Sequence, residues 1–106
     1  MSSLHPLERL KEEYTKIEEE LQRLRDQKKI VDEKYSSIMG EQKKLVEDMR
    51  KCRDPYEYNK IDARLNLISR SRREVESEKQ EIERKIRGYE EELNRIGKRI
   101  EYLKPR

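Results

Sequence analysis

Apolar residues recur in alternating steps of three and four along most of the chain, and this spacing constrains the fold more than any other feature. The first series comprises Leu7, Leu10, Tyr14, Ile17, Leu21, Leu24, Val31, Tyr35, Ile38, Leu45, Met49 and Cys52, with Lys28 and Gln42 at its polar positions. A heptad series of this length is typical of the seam along which coiled-coil helices pack. It argues against a disordered chain, which a content of 48% charged residues would otherwise permit.

A second seam occupies the other half of the sequence. It comprises Tyr58, Ile61, Leu65, Ile68, Val75, Ile82, Ile86, Tyr89, Leu93, Ile96, Ile100 and Leu103, with Arg72 and Lys79 at its polar positions. The heptad phase of this seam differs from that of the first by two residues. A continuous coiled coil absorbs insertions of three or four residues by local unwinding or overwinding, but it does not absorb an offset of two residues in this way. The spacing therefore predicts two separate helices.

The stretch KCRDPYEYNKI, residues 51–61, joins the two seams. Pro55 suits the first position of a helix, and Asp54 before it provides an N-cap acceptor, with Glu57 placed as in a capping box. The sequence predicts an all-α fold, a long antiparallel two-helix coiled-coil hairpin that dimerises into a four-helix bundle. We expect a tail over residues 1–5, a first helix over 6–53, a turn near 53–55 and a second helix over 54–104.

An antiparallel reversal about residue 55 pairs seam residues whose numbers add up to 110, such as Leu10 with Ile100. In this register every polar seam residue faces an apolar one: Lys28 faces Ile82, Lys79 faces Val31, Arg72 faces Ile38 and Gln42 faces Ile68. A parallel homodimer would instead place each seam cation against its own copy, which costs Coulomb energy and desolvation. Flanking ion pairs are predicted between Asp48 and Arg64 and between Arg25 and Glu83.

Four apolar residues lie off the seams, in the region where the polar seam positions are concentrated: Ile30, Met39, Val46 and Leu67. Met39 and Val46 are one heptad apart and share a helix face. We interpret the four as a contact surface for a second copy, giving a homodimer, or for a helix of a partner protein. The alternative is that they are isolated surface aliphatics, which are common in soluble proteins.

Two further groups of residues suggest binding surfaces. Arg53, Tyr56 and Lys60 surround the turn, and tyrosine and arginine are residue types that dominate interface hot spots, so a partner could dock on this tip. Residues 21–73 contain fifteen basic and nine acidic residues, a net charge of +6. Possible phosphate contacts in this region are Lys34, Lys43, Lys44, Arg64, Arg70 and Arg73. Weak, salt-dependent nucleic-acid binding is thus an alternative, although no base-stacking aromatic accompanies the arginines.

The sequence offers little for catalysis. His5 is the only histidine and is expected to cap the first helix, while Cys52 is the only cysteine and is expected to fill the last seam position. These two residues cannot form a zinc cluster, and no glycine-rich phosphate loop is present. We expect no catalytic residue, cofactor, metal or small-molecule substrate. A single cysteine favours a reducing, cytoplasmic location, and the absence of long apolar runs predicts no secretion signal or membrane span.

These observations predict a non-enzymatic interaction module, a scaffold, adaptor or spacer that self-associates and binds partner proteins. A nucleic-acid-associated protein that uses the basic region is one alternative. Another is a holding chaperone of the prefoldin type, which this chain resembles in its helical hairpin. That resemblance is architectural only, because prefoldins carry β-strands between their helices and residues 50–60 contain no alternating strand pattern.

Overall fold

The computed structural model describes residues 5–105, which form two long α-helices. Helix α1 spans Pro6–Lys51 and helix α2 spans Pro55–Leu103. The helices pack as an antiparallel hairpin, and residues 5–105 contain no strand, which confirms the predicted all-α helical hairpin. Its dimerisation into a four-helix bundle stays a prediction. Helix α1 ends at Lys51, not at residue 53, and most of the predicted tail lies outside the described residues.

The turn between the helices consists of Cys52, Arg53 and Asp54. The Asp54 Oδ1 atom accepts a hydrogen bond from the backbone N–H of Tyr56 at 3.1 Å, and its carbonyl accepts one from the N–H of Tyr58 at 2.9 Å. These contacts satisfy two of the N–H groups that a helix start leaves unpaired. Asp54 is therefore the N-cap of α2, as the sequence predicted.

Because the Asp54 carboxylate caps α2, we expect Asp54→Ala to lower the free energy of unfolding by about 0.5–2 kcal/mol. Urea denaturation followed by far-UV circular dichroism would measure the loss. Asp62→Ala provides the control, since Asp62 is an exposed residue further along the same helix. Equal losses in the two variants would contradict a capping role.

The chain divides into two compact units. The first, which we call the terminal unit, contains residues 5–27 and 82–105 of the described chain. Seven buried apolar side chains form its core: Leu10, Leu21, Leu24, Ile82, Ile86, Ile96 and Ile100. Leu10, Ile96 and Ile100 belong to one cluster, in agreement with the predicted antiparallel register. This unit is held together by a well-formed seam.

Residues 28–81 form the second unit, which we call the turn unit because it contains residues 52–54. Only three of its apolar side chains are buried: Val31, Ile68 and Val75. The seam residues nearer the turn, including Ile38, Leu45 and Leu65, are only half-buried. The turn unit therefore retains less burial per residue than the terminal unit, even though it is as long.

Candidate interaction surface

A groove runs along one face of α1 within the turn unit, and we call it the α1 groove. It has a volume of about 560 Å³ and is lined by Met39, Gly40, Gln42, Lys43, Val46, Glu47 and Arg50. Residues three, four and seven apart lie on one face of a helix, so the spacing of Met39 and Val46 places both in this groove. Both side chains are half-buried, and the rim around them carries charges of both signs. The groove could hold a few apolar side chains of another helix.

The other two residues of the predicted contact surface do not line this groove. Ile30 is 64% exposed and Leu67 is 54% exposed. Each lies two residues after a seam position, Lys28 for Ile30 on α1 and Leu65 for Leu67 on α2, whereas Met39 and Val46 each lie one residue after a seam position. These two heptad positions point to opposite sides of a helix. The structure thus brings together two of the four predicted residues and leaves Ile30 and Leu67 as separate exposed side chains.

A polar network crosses the seam of the turn unit beside this groove. The Asp32 carboxylate lies between two lysines, with Lys28 Nζ at 3.1 Å from Oδ2 and Lys79 Nζ at 3.1 Å from Oδ1. The Lys79 ammonium also lies 5.3 Å from the centroid of the Tyr35 ring. A carboxylate on α1 therefore compensates one seam cation from each helix.

The network continues toward the turn through Arg72, the other polar seam residue of α2. The Tyr35 hydroxyl donates to Glu76 Oε1 at 3.4 Å, and Arg72 Nε lies 3.6 Å from the same oxygen. Arg72 Nη1 also donates to Gln42 Oε1 at 3.4 Å. Every polar seam residue of the described chain thus takes part in one set of contacts that joins α1 to α2.

Sequence reasoning missed this network because it paired each polar seam residue only with the seam residue opposite it on the other helix. Lys79 was placed opposite Val31 and Arg72 opposite Ile38, whereas both cations reach carboxylates just outside the seam. A signal was available, since Asp32 follows Lys28 by four residues and Glu76 follows Arg72 by four, the spacing of intrahelical ion pairs. Long basic side chains reach such neighbours while their stems remain packed.

The hydrogen bond from Lys28, followed by that from Lys79, lowers the pKa of Asp32 below its ordinary value. A lowered pKa means that the folded state favours the carboxylate. The resulting stability is present above the pKa of the unfolded chain, about 4, and is lost as the pH falls through the lower pKa of the folded state.

We expect Asp32→Asn to lower the melting temperature at neutral pH and to lower it progressively less as the pH approaches about 3. Thermal melts at a series of pH values would measure the difference from the wild-type protein. Asp62→Asn, an exposed change in the same unit, is the matched control and should show a smaller difference. A difference for Asp32→Asn that stays constant with pH would contradict the role of the carboxylate.

The tip residues lie at the surface. Tyr56 is 67% exposed, and Lys60 Nζ lies 4.9 Å above the centroid of its ring. Arg53 is exposed in the turn itself. Tyr58, which the heptad pattern placed in the seam, is 45% exposed. The seam therefore loses its burial before it reaches the turn, and both tyrosines are accessible at the tip.

The six predicted phosphate contacts are all exposed, but they do not form one surface. Lys43 lines the α1 groove, whereas the next residue, Lys44, is rotated by about 100° around the helix. Arg64 is bound by Glu41, with Nη2 at 2.7 Å and Nε at 3.1 Å from the same oxygen. The Nε atom of Arg73 donates to the carbonyl of Ser69 at 3.4 Å. The positive charge is thus spread over several faces.

The flanking ion pairs differ from those predicted. Arg64 contacts Glu41 where Asp48 was expected, and Arg25 lies 3.7 Å from Glu90 where Glu83 was expected. In each case the partner is one heptad away from the predicted one. Long side chains span the distance between neighbouring heptads, and exposed pairs contribute only about 0–1 kcal/mol each, so the backbone register constrains them weakly.

The remaining candidate residues have structural contacts. His5 Nδ1 accepts a hydrogen bond from the N–H of Leu7 at 3.1 Å, which confirms the predicted capping role. Cys52 is a free, half-buried cysteine whose Sγ lies 3.3 Å from the carbonyl oxygen of Asp54. Among residues 5–105, no cluster of three or more histidine, cysteine, aspartate or glutamate side chains could hold a metal ion. Neither α1 nor α2 is apolar enough over a sufficient length to cross a membrane.

The fold and its polar seam define the class of protein, an all-α helical hairpin. No protein-family model, curated protein or solved structure matches the chain. The functional argument therefore depends on the surfaces described above.

Proposed function

We propose that this chain is a non-enzymatic coiled-coil interaction module, a scaffold, adaptor or spacer that self-associates and binds partner proteins. The observation that carries the proposal is the α1 groove, which Met39 and Val46 line with apolar side chains. The groove lies in the unit that has only three buried apolar side chains, so a partner helix laid over it would supply burial that the hairpin lacks. Apolar residues grouped in one groove are a common property of protein interaction sites.

The tip supports a second contact for a partner protein. Tyr56 offers a large exposed ring beside the Lys60 ammonium, and Arg53 adds a second cation. Tyrosine and arginine contribute most of the binding energy in many interfaces. A turn unit that presents a groove on one helix face and aromatic residues beside the turn fits the role of an adaptor. The single free cysteine, Cys52, fits a cytoplasmic, reducing location.

A tagged pull-down from native lysate, with and without nuclease, tests the proposal when three variants are run beside the wild-type protein. We expect specific partner proteins to survive nuclease and to be lost with Val46→Asp or Tyr56→Ala. Ile30→Asp is the matched control, because it introduces the same charge at an exposed apolar residue outside the groove. Partners retained equally by all variants would contradict binding through the groove or the tip.

The same experiment addresses the two alternatives. Residues 21–73 carry a net charge of +6, which favours a nucleic-acid-associated protein as the second candidate. Loss of the bound proteins after nuclease treatment would favour the nucleic-acid-associated protein over the adaptor. A prefoldin-type holding chaperone would instead bind many unfolded proteins without loss in Val46→Asp, and suppression of the aggregation of a denatured test protein would identify that activity.

A further inference from the structure

We infer that the α1 groove is occupied by the same groove of a second copy of this chain, with the two α1 helices antiparallel and a two-fold axis close to Lys43. The inference rests on the proposed function and deepens it, because it names one partner and the face and orientation of the contact.

The apolar centre of the groove is complementary to itself. Met39 and Val46 are seven residues apart on one helix face, a distance of roughly 10 Å along the axis. When two copies of α1 run antiparallel about the midpoint of this pair, Met39 of each copy lies opposite Val46 of the other. A two-fold axis gives both of these contacts at once, because the same surface patch of each copy forms the interface.

The charges around the groove select the antiparallel orientation. Lys43 and Glu47 are both on its rim, and the reversal places Lys43 of each copy near Glu47 of the other. Side chains of a helix lean toward its N-terminus, so in antiparallel helices these two lean toward each other. The antiparallel pair brings only Lys43, at the axis, close to its own copy, whereas a parallel pair would set Lys43, Glu47 and Arg50 each against their own copies, which is less favourable.

The backbone near the groove leaves room for a second helix. A Cβ atom added to Gly40 would meet no atom within 4 Å beyond its chain neighbours and the adjacent backbone of its own helix, so this position of the groove lining is open. A glycine in mid-helix costs stability relative to alanine, and its usual advantage is close approach of another backbone. Ile38 and Leu45, the seam residues of α1 beside the groove, are only half-buried within the single hairpin. A second copy over the groove would reduce their exposure.

Disulfide trapping in a Cys52→Ser background tests the face. The Lys43→Cys variant places a thiol near the proposed axis, so mild oxidation is expected to give a covalent dimer. Lys44→Cys is the matched control, because the adjacent residue is rotated by about 100° away from the contact. Efficient trapping of both variants, or of Lys44→Cys alone, would overturn the assignment of this face.

A mixed pair tests the orientation, since Lys43→Cys would be trapped in a parallel pair as well. Ser36→Cys and Arg50→Cys lie at nearly equal distances on either side of the axis and are both exposed. Antiparallel α1 helices predict that a disulfide forms between the two variants when they are mixed, and that neither variant is trapped alone. Trapping of each variant with itself would overturn the antiparallel orientation.

Sedimentation equilibrium separates failure of this inference from failure of the proposed function. We expect the wild-type protein and Ile30→Asp to dimerise and Val46→Asp to have a dissociation constant about 100-fold higher or more, because each dimer would bury two unpaired carboxylates. Far-UV circular dichroism should show that Val46→Asp retains its helices. A dimer unaffected by Val46→Asp would overturn the groove contact but leave self-association intact. A monomeric wild-type protein would overturn both the groove contact and self-association. The binding of other proteins would still be tested by the pull-down.

Discussion

Leu24→Ala is expected to lower the free energy of unfolding by about 2–5 kcal/mol, the largest loss expected from a single truncation in this chain. Leu24 is the most buried side chain in the terminal unit, with 2% of its surface exposed. Truncation removes the transfer free energy of the lost methyl and methylene groups and leaves a cavity in a seam that has no second layer to collapse into it. Urea denaturation followed by circular dichroism would measure the loss.

Leu45→Ala in the turn unit is the matched control for this prediction. Leu45 is a seam leucine of the same helix, but it is only half-buried, so less transfer free energy is lost on its truncation. The difference between the two variants measures the unequal burial of the two units. Equal losses would indicate that the seam near the turn is buried to the same extent as the seam of the terminal unit. A second copy of the chain could provide that burial. The experiment should therefore be repeated with Val46→Asp added to both variants.

Lys79→Leu is expected to raise the free energy of unfolding by about 1–2 kcal/mol. Burial of a leucine side chain contributes about 1.5–3 kcal/mol, while a partly exposed ion pair such as that between Lys79 and Asp32 contributes about 0–1 kcal/mol. Asp32 keeps its hydrogen bond from Lys28 after the substitution, so no buried carboxylate is left without a partner. Chemical denaturation of the variant and the wild-type protein would measure the gain.

Lys44→Leu is the control, because Lys44 is exposed and outside the seam, and its substitution should change stability by less than about 0.5 kcal/mol. A loss of stability in Lys79→Leu would mean that the polar network contributes more than a seam leucine does. The gain we expect implies that the network limits the stability of the turn unit. Its contacts require the antiparallel arrangement, and polar seam residues often select one register at some cost in stability.

The hairpin itself was predictable from the sequence for reasons that lie in local chemistry. Two heptad seams out of phase by two residues cannot belong to one helix, and Pro55 with Asp54 before it starts the second. The Asp54 cap, the His5 cap and the clustering of Leu10 with Ile100 are all present in the structure. Periodicity and capping depend on neighbours a few residues away, so a sequence specifies them directly.

The candidate surface was predictable only in part. Met39 and Val46 share a groove because heptad spacing places them on one face, whereas Ile30 and Leu67 were grouped with them by composition and not by geometry. Tyr58 follows the heptad pattern but is exposed, because at the end of a two-helix seam there is too little opposing surface to cover a large ring. A periodic pattern gives the direction of a side chain and not the extent of its burial.

The sequence by itself determined the helices, the reversal at Pro55 and the antiparallel register, because each follows from the spacing of apolar residues and from backbone chemistry at one proline. Only the tertiary structure decided how the charged side chains pair. Lys79 and Arg72 turn out of the seam toward Asp32 and Glu76, and Arg64 selects Glu41 over Asp48. Several torsions separate each of these charges from its backbone, so many partners lie within reach, and the choice depends on packing across two helices that no local pattern records.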